Sequence, residues 1–131
     1  MPQLVKGGKW VFGWTVVGPA GEVRIPPEAY GEYGFKVGEQ IVFLSGSRAS
    51  GGFGLARREK LTGSRAPLMR RSVGEGVVGK GGRVIFPAEC DLQPGERLLV
   101  GRGSGLALGF IPRGPIYEEA LKHPEIEVFS L

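Results

Sequence analysis

With 131 residues, 41% of them hydrophobic, the chain can bury a core as one compact domain or two very small ones. Its 24 glycines and 10 prolines follow no Gly-X-Y period, which excludes collagen, and no apolar run nears the ~20 residues a membrane span needs. A single cysteine, Cys90, excludes an internal disulfide framework and a multi-cysteine zinc site, while a net charge of +4 permits a nucleic-acid partner without requiring one.

The segment after Met1 lacks the apolar stretch of a signal peptide, so a soluble cytoplasmic protein is expected. The first element is a strand over about Lys9–Val17, in which Trp10, Phe12 and Trp14 alternate as core or interface aromatics. The turn Gly18-Pro-Ala-Gly21 leads to a second strand, Glu22–Ile25, where Val23 and Ile25 alternate with Glu22 and Arg24. Pro26 ends it, since proline cannot donate to a ladder. A short helix follows over Pro27–Tyr33. A turn at Lys36-Val-Gly-Glu39 then opens a third strand, Gln40–Leu44, and a glycine loop leads to a fourth, Phe53–Arg57.

The same series then repeats. Val16-Val-Gly-Pro-Ala-Gly-Glu-Val-Arg-Ile-Pro-Pro-Glu28 matches Val77-Val-Gly-Lys-Gly-Gly-Arg-Val-Ile-Phe-Pro-Ala-Glu89 at a displacement of 61 positions. Val37-Gly-Glu-Gln-Ile-Val-Phe43 matches Pro94-Gly-Glu-Arg-Leu-Leu-Val100 at a displacement of 57, and Gly46-Ser47 matches Gly103-Ser104. The second copy therefore predicts strands over Gly74–Val78, Arg83–Phe86, Arg97–Val100 and Leu106–Ile111, with a helical turn over Ala88–Leu92. This divides the chain into a first repeat (9–57), a basic linker (58–73), a second repeat (74–112) and a tail (113–131). In the tail, Pro115–His123 reads as a helix and Glu125–Leu131 as a strand. About 45 residues are near the limit for a lone core, so the copies must share one core within a chain or pair between chains.

The pattern Gly-x-Val-x-[Ile/Phe]-Pro-x-Glu, a short helix and [Val/Pro]-Gly-Glu-x-[Ile/Leu] resembles the AbrB/MazE/SpoVT-type domain. The resemblance covers about Lys9–Leu55 and Gly74–Phe110. It implies an all-β fold with short helices, a swapped-hairpin, double-psi-type β-barrel in which one chain supplies both halves of a pseudo-twofold unit. It also implies DNA-binding transcriptional regulation, or an antitoxin role in which an acidic-apolar tail docks a partner protein. Glu22, Tyr30 and Asp91 stand where the family tends to carry phosphate-contacting arginines, and Arg83 stands where one is kept.

No acid, base and nucleophile assemble in the sequence, so no enzyme is expected, and no cofactor or metal. Gly74-Glu-Gly-Val-Val-Gly79 matches the GxGxxG string, but Gly81-Gly82 and a strand follow it in place of a phosphate-binding helix. His123 reads as a helix end, Cys90 as a small buried residue, and Glu28 and Glu89 as caps or braces of the turns after each proline. The candidate DNA contacts are Lys9, Arg24, Lys80 and Arg83 beside the hairpins and Arg57, Arg58, Arg65, Arg70 and Arg71 in the linker. The second hairpin and the linker are expected to dominate, because the second copy offers Lys80 and Arg83, with apolar Ile85 where the first has Arg24, whereas the first offers Arg24 with Glu22 beside its turn. The alternative is a protein-interaction module that uses the tail, and in either case the chain is expected as a monomeric pseudo-dimer or a homodimer.

Overall fold

The computed structural model describes residues 10–46, 52–62, 68–103 and 106–131. The first copy forms β1 (Val11–Val16), β2 (Glu22–Arg24), α1 (Pro27–Tyr33), β3 (Gln40–Ser45) and β4 (Phe53–Arg57). The second forms β5 (Ser72–Val77), β6 (Arg83–Ile85), β7 (Arg97–Arg102) and β8 (Leu108–Ile111). The chain is mostly β-sheet with few short helices, as its glycine and proline content implies. The predicted turn at Ala88–Leu92 is a 3-10 helix over Ala88–Cys90, because Asp91 adopts a left-handed conformation (φ 51°) and stops it. In the first copy Gly34 (φ 73°) does the same after two full turns.

The two copies interleave. β1 of the first copy pairs antiparallel with β7 of the second, and β5 of the second pairs antiparallel with β3 of the first. The registers are equivalent position by position: Val16 faces Arg97 as Val77 faces Gln40, and Trp14 faces Leu99 as Glu75 faces Val42. Even the register shift recurs, beside Gly13 in β1 and opposite Gly74 in β5. β4 and β8 join the halves through Phe53–Phe110, Gly54–Gly109 and Leu55–Leu108. β2 and β6 form a separate two-stranded ribbon in which Val23 faces its own counterpart Val84. A pseudo-twofold axis thus passes through the Val23–Val84 and Gly54–Gly109 pairs.

The large sheet has the order β5-β3-β4-β8-β7-β1-β9, where β9 is Val128–Phe129 of the tail. Its strands do not close into the barrel expected from the sequence. β2 and β6 are three residues each, ended by prolines, and pair with one another instead of bridging β1 to β5. The junction of β1 and β2 is made by a side chain: Thr15 Oγ1 donates to the Arg24 carbonyl (2.9 Å) and accepts from the Arg24 amide (3.3 Å).

The main core lies between the sheet and the ribbon. Ile41, Phe43, Leu55, Leu98, Val100, Leu108 and Phe110 of the sheet meet Val23, Ile25, Val84 and Phe86. Alternate residues face the other side, where each half has its own cover. Helix α2 (Arg58–Thr62) lays Leu61 on Val42, Leu44 and Ala56. Helix α3 (Pro115–Ala120) and the chain beyond it lay Ala120 and Ile126 on Val11, Trp14, Leu99 and Ile111. The glycine at position 13 places Val11 and Trp14 on the same side, so the aromatic alternation of the first strand breaks: Phe12 enters the main core and Trp14 the outer one.

Candidate nucleic-acid interface

The ribbon positions three of the candidate cations. Val23 and Val84 point into the core, so their neighbours Glu22, Arg24, Arg83 and Ile85 point away from it. Arg24 lies directly opposite Arg83, an arrangement that like charges disfavour unless an anion or solvent screens them. The Arg24 guanidinium sits 5.8 Å from the centre of the Phe129 ring, which holds it against the tail. Arg83 is exposed. Lys80, also exposed, opens the 3-10 turn Lys80–Gly82 that precedes β6. That turn requires glycine, since Gly81 and Gly82 have φ of 76° and 77°. Among the described residues, no carboxylate lies within ion-pair distance of Arg24, Lys80 or Arg83. Glu22 is turned back on its own hairpin, accepting from the Ala20 amide at 3.0 Å.

The linker candidates are placed elsewhere. Arg57 is half of an ion pair with Glu39 (Nε to Oε2, 2.6 Å), both side chains largely removed from solvent at 16% and 14% exposure, and it also reaches Glu59 at 3.3 Å. Arg58 pairs with Glu75 of β5. Arg71 donates from Nε to the Ser45 carbonyl at 2.8 Å, which ties the start of β5 to the end of β3. Arg70 is exposed. Lys9 and Arg65 lie outside the described residues. Among the described residues, Arg57, Arg58 and Arg71 are therefore engaged within the fold. Helix α2, the described start of the linker, packs on the outer side of the sheet, whereas the ribbon covers the inner side.

Sequence reasoning missed two further arginines. Arg102 forms a fork with Glu32 (Nε to Oε2, 2.8 Å), joining β7 of one copy to α1 of the other, and this contact raises the pKa of Arg102. Arg97 lies 5.9 Å from the Trp14 ring, itself edge-on to Tyr117. Nothing local signals either pairing, because the partners stand far apart in the chain and meet only through the interleaving.

Other motifs take the structural reading. Gly74–Gly79 runs along β5 into the three-residue 3-10 turn Lys80–Gly82 and then β6, with no α-helix directly after it. Cys90 is buried, and burial, with the nearby Glu89 charge, pushes its thiol pKa up to about 11. Glu28 and Glu89 lie in the first turn of their helices, where the dipole favours a negative charge, and the N-cap residues are Pro26 and Pro87. A groove of about 490 Å³ beside the ribbon is lined by Pro19, Ala20, Ile85, Pro87, Leu92 and Pro94 with Asp91 as its charged member. No group of metal-ligating side chains occurs among the described residues, and none of their helices is long and apolar enough to cross a membrane.

No family model matches the sequence, and comparison with curated proteins yields no significant match.

Proposed function

We propose that the chain is a DNA-binding transcriptional regulator that lays its two-stranded ribbon against the phosphate backbone. The supporting observation is the placement of Arg24 and Arg83 directly opposite each other, outside the core and clear of carboxylates among the described residues, with Lys80 one turn away. Two arginines face to face cost stability in isolation, and a phosphate between them removes that cost. The interleaved copies support the resemblance to the AbrB/MazE/SpoVT-type domain, in which paired hairpins serve this purpose.

Three contacts make a modest, salt-sensitive interaction. Each phosphate neutralised adds about −0.9 to the slope of log affinity against log salt, so the ribbon accounts for a slope near −3. Anisotropy of a labelled random duplex, titrated from about 50 mM salt upward, measures it. Lys80→Ala with Arg83→Ala is expected to weaken binding evenly across sequences and to remove about two units of slope. Arg24→Ala should matter less, because the Phe129 ring already covers part of its guanidinium. Absence of binding at the lowest salt would end this reading. The tail-docking alternative has less support, since Ala120 and Ile126 are buried against the chain's own sheet.

A further inference from the structure

The two ends of the large sheet are equivalent by pseudo-symmetry but differ in occupancy. At one end, β9 adds to β1 as a parallel strand, with Trp14 beside Val128 and Thr15 beside Phe129. The Trp14 amide points outward there and donates to the Glu127 carbonyl at 2.8 Å. At the other end, β5 pairs only with β3 among the described residues. The Val78 amide donates inward to the Glu39 carbonyl, so alternation turns the amides of Val77 and Glu75 outward. Glu75 is the counterpart of Trp14. Apolar surface flanks this edge: Val77 is 55% exposed and Ile85, on the adjoining β6, is 62% exposed.

We propose that the β5 edge is a docking site for an extended acidic-apolar segment of a partner protein, added parallel to β5 as β9 is added to β1. The chain itself shows the chemistry. The segment that fills the β1 edge is Glu125-Ile-Glu-Val-Phe129, and its pairing register sets Glu125 and Glu127 before the paired residues. Transferred to β5, acidic residues there lie alongside Ser72 and Gly74, next to Arg70 and Arg71 at the strand's entrance. The Glu75 carboxylate does not oppose them, because Arg58 already pairs with it. The residue in Phe129's place must be smaller. A Cβ on Gly74 would lie 2.4 Å from the Pro87 ring, whereas one on Gly13 would meet the Glu127 carbonyl and the Phe129 ring at 2.7 Å, so the Pro87 ring has to shift aside for an added strand, and Ile85 offers an aliphatic contact in place of Phe129. The chain's own tail does not supply the strand, since it is anchored on β1 through Ile126 and Ala120. Strand addition to an open edge combines main-chain hydrogen bonds with flanking side-chain contacts.

The test uses the full chain, isotopically labelled, and the heptapeptide Glu-Ile-Glu-Val-Val-Ser-Leu, which is the sequence of residues 125–131 with Val for Phe129. Saturable shifts of the Glu75 and Val77 amide resonances are expected at millimolar peptide. Glu75→Pro, which removes the outward donor on an edge strand where proline is tolerated, leaves Val77 as the reporter and should abolish its shift, and Glu75→Ala should not. Should Glu75→Pro fail to fold, Arg70→Glu serves instead, with affinity falling about fivefold at low salt. The proposal is overturned by unmoved Glu75 and Val77 amides, or by shifts at Trp14 and Val16 in their place, which would mean displacement of the chain's own tail. It is equally overturned if those amides shift with protein concentration alone, which would assign the edge to a second copy.

Discussion

Phe86 stands where the first copy has Ile25, and this exchange decides how the shared core is filled. Its ring lies 4.8 Å from Phe43, 5.3 Å from Phe110 and 5.8 Å from Phe53, so it touches strands of both copies. Truncation to alanine leaves a cavity that three rings cannot collapse to fill. Phe86→Ala is expected to cost ~3–5 kcal/mol, and Ile25→Val ~0.5–1.5 kcal/mol, in urea unfolding. Equal costs for the two would mean that the rings repack freely. Both positions were legible as core from the Val-x-[Ile/Phe]-Pro pattern, but the partners of Phe86 were not. Arg57 shows the same gap. It read as a linker cation, because the sequence could not place Glu39 beside it from eighteen positions away. With that carboxylate at 2.6 Å and both groups mostly shielded, Arg57→Ala should lower stability by ~1.5–3 kcal/mol, the range for a hydrogen bond to a charged group. DNA salt slopes should not change. A reduced slope with unchanged stability would return Arg57 to the binding surface.

Among the elements, the tail is held by packing and by one titrating cluster. His123 Nδ1 lies 2.9 Å from Glu125 and Nε2 lies 3.4 Å from Glu119. The hydrogen bond to Glu125, then that to Glu119, raises the imidazole pKa above its ordinary value near 6.5. A raised basic pKa stabilises the folded tail below about pH 6.5, and the contribution fades as pH rises through the folded value. The Glu125 pKa is lowered, first by its own backbone amide and then by His123, so its contribution fades as pH falls through that lower value. Between these limits the tail is tightest. Amide exchange at Leu121 and Ile126, corrected for intrinsic rates, should therefore quicken from pH 6 to pH 8, and His123→Gln should flatten the trend. A flat profile in the unmodified chain would show that the cluster does not hold the tail. A helix over Pro115–His123 and a strand beyond it were legible from proline, charge and alternation. Which face they cover follows from Trp14, which a single glycine diverts from the inner core to the outer one, and period-2 alternation cannot reveal such a shift.

For the molecule as a whole, the duplication matters because each copy completes the other. β1 has its ladder partner in β7 and β5 has its partner in β3, so neither copy keeps its main pairing when alone. A chain cut after Arg65 tests this directly. The fragments 1–65 and 66–131 should each lack a cooperative thermal transition as monomers, since each exposes half of the core that Val23, Phe43, Val84 and Phe110 build together. Mixed in equal amounts, they should recover the strand circular dichroism of the intact chain. Their melting temperature should rise with concentration, because folding has become association. The linker sets how much stability is lost. A short tether holds the copies at an effective concentration on the order of 1 mM, so fragments at about 1 µM are at a thousandfold disadvantage, close to 4 kcal/mol. Self-association of one fragment would fit the same geometry, because β2 and β6 meet across an axis where Val23 faces its own counterpart. The arrangement would fail on one result: a single fragment that stays monomeric at micromolar concentration and still melts cooperatively. Such a fragment would pair its own β1 and β3, and the register equivalence between β1–β7 and β5–β3 would then have no energetic consequence.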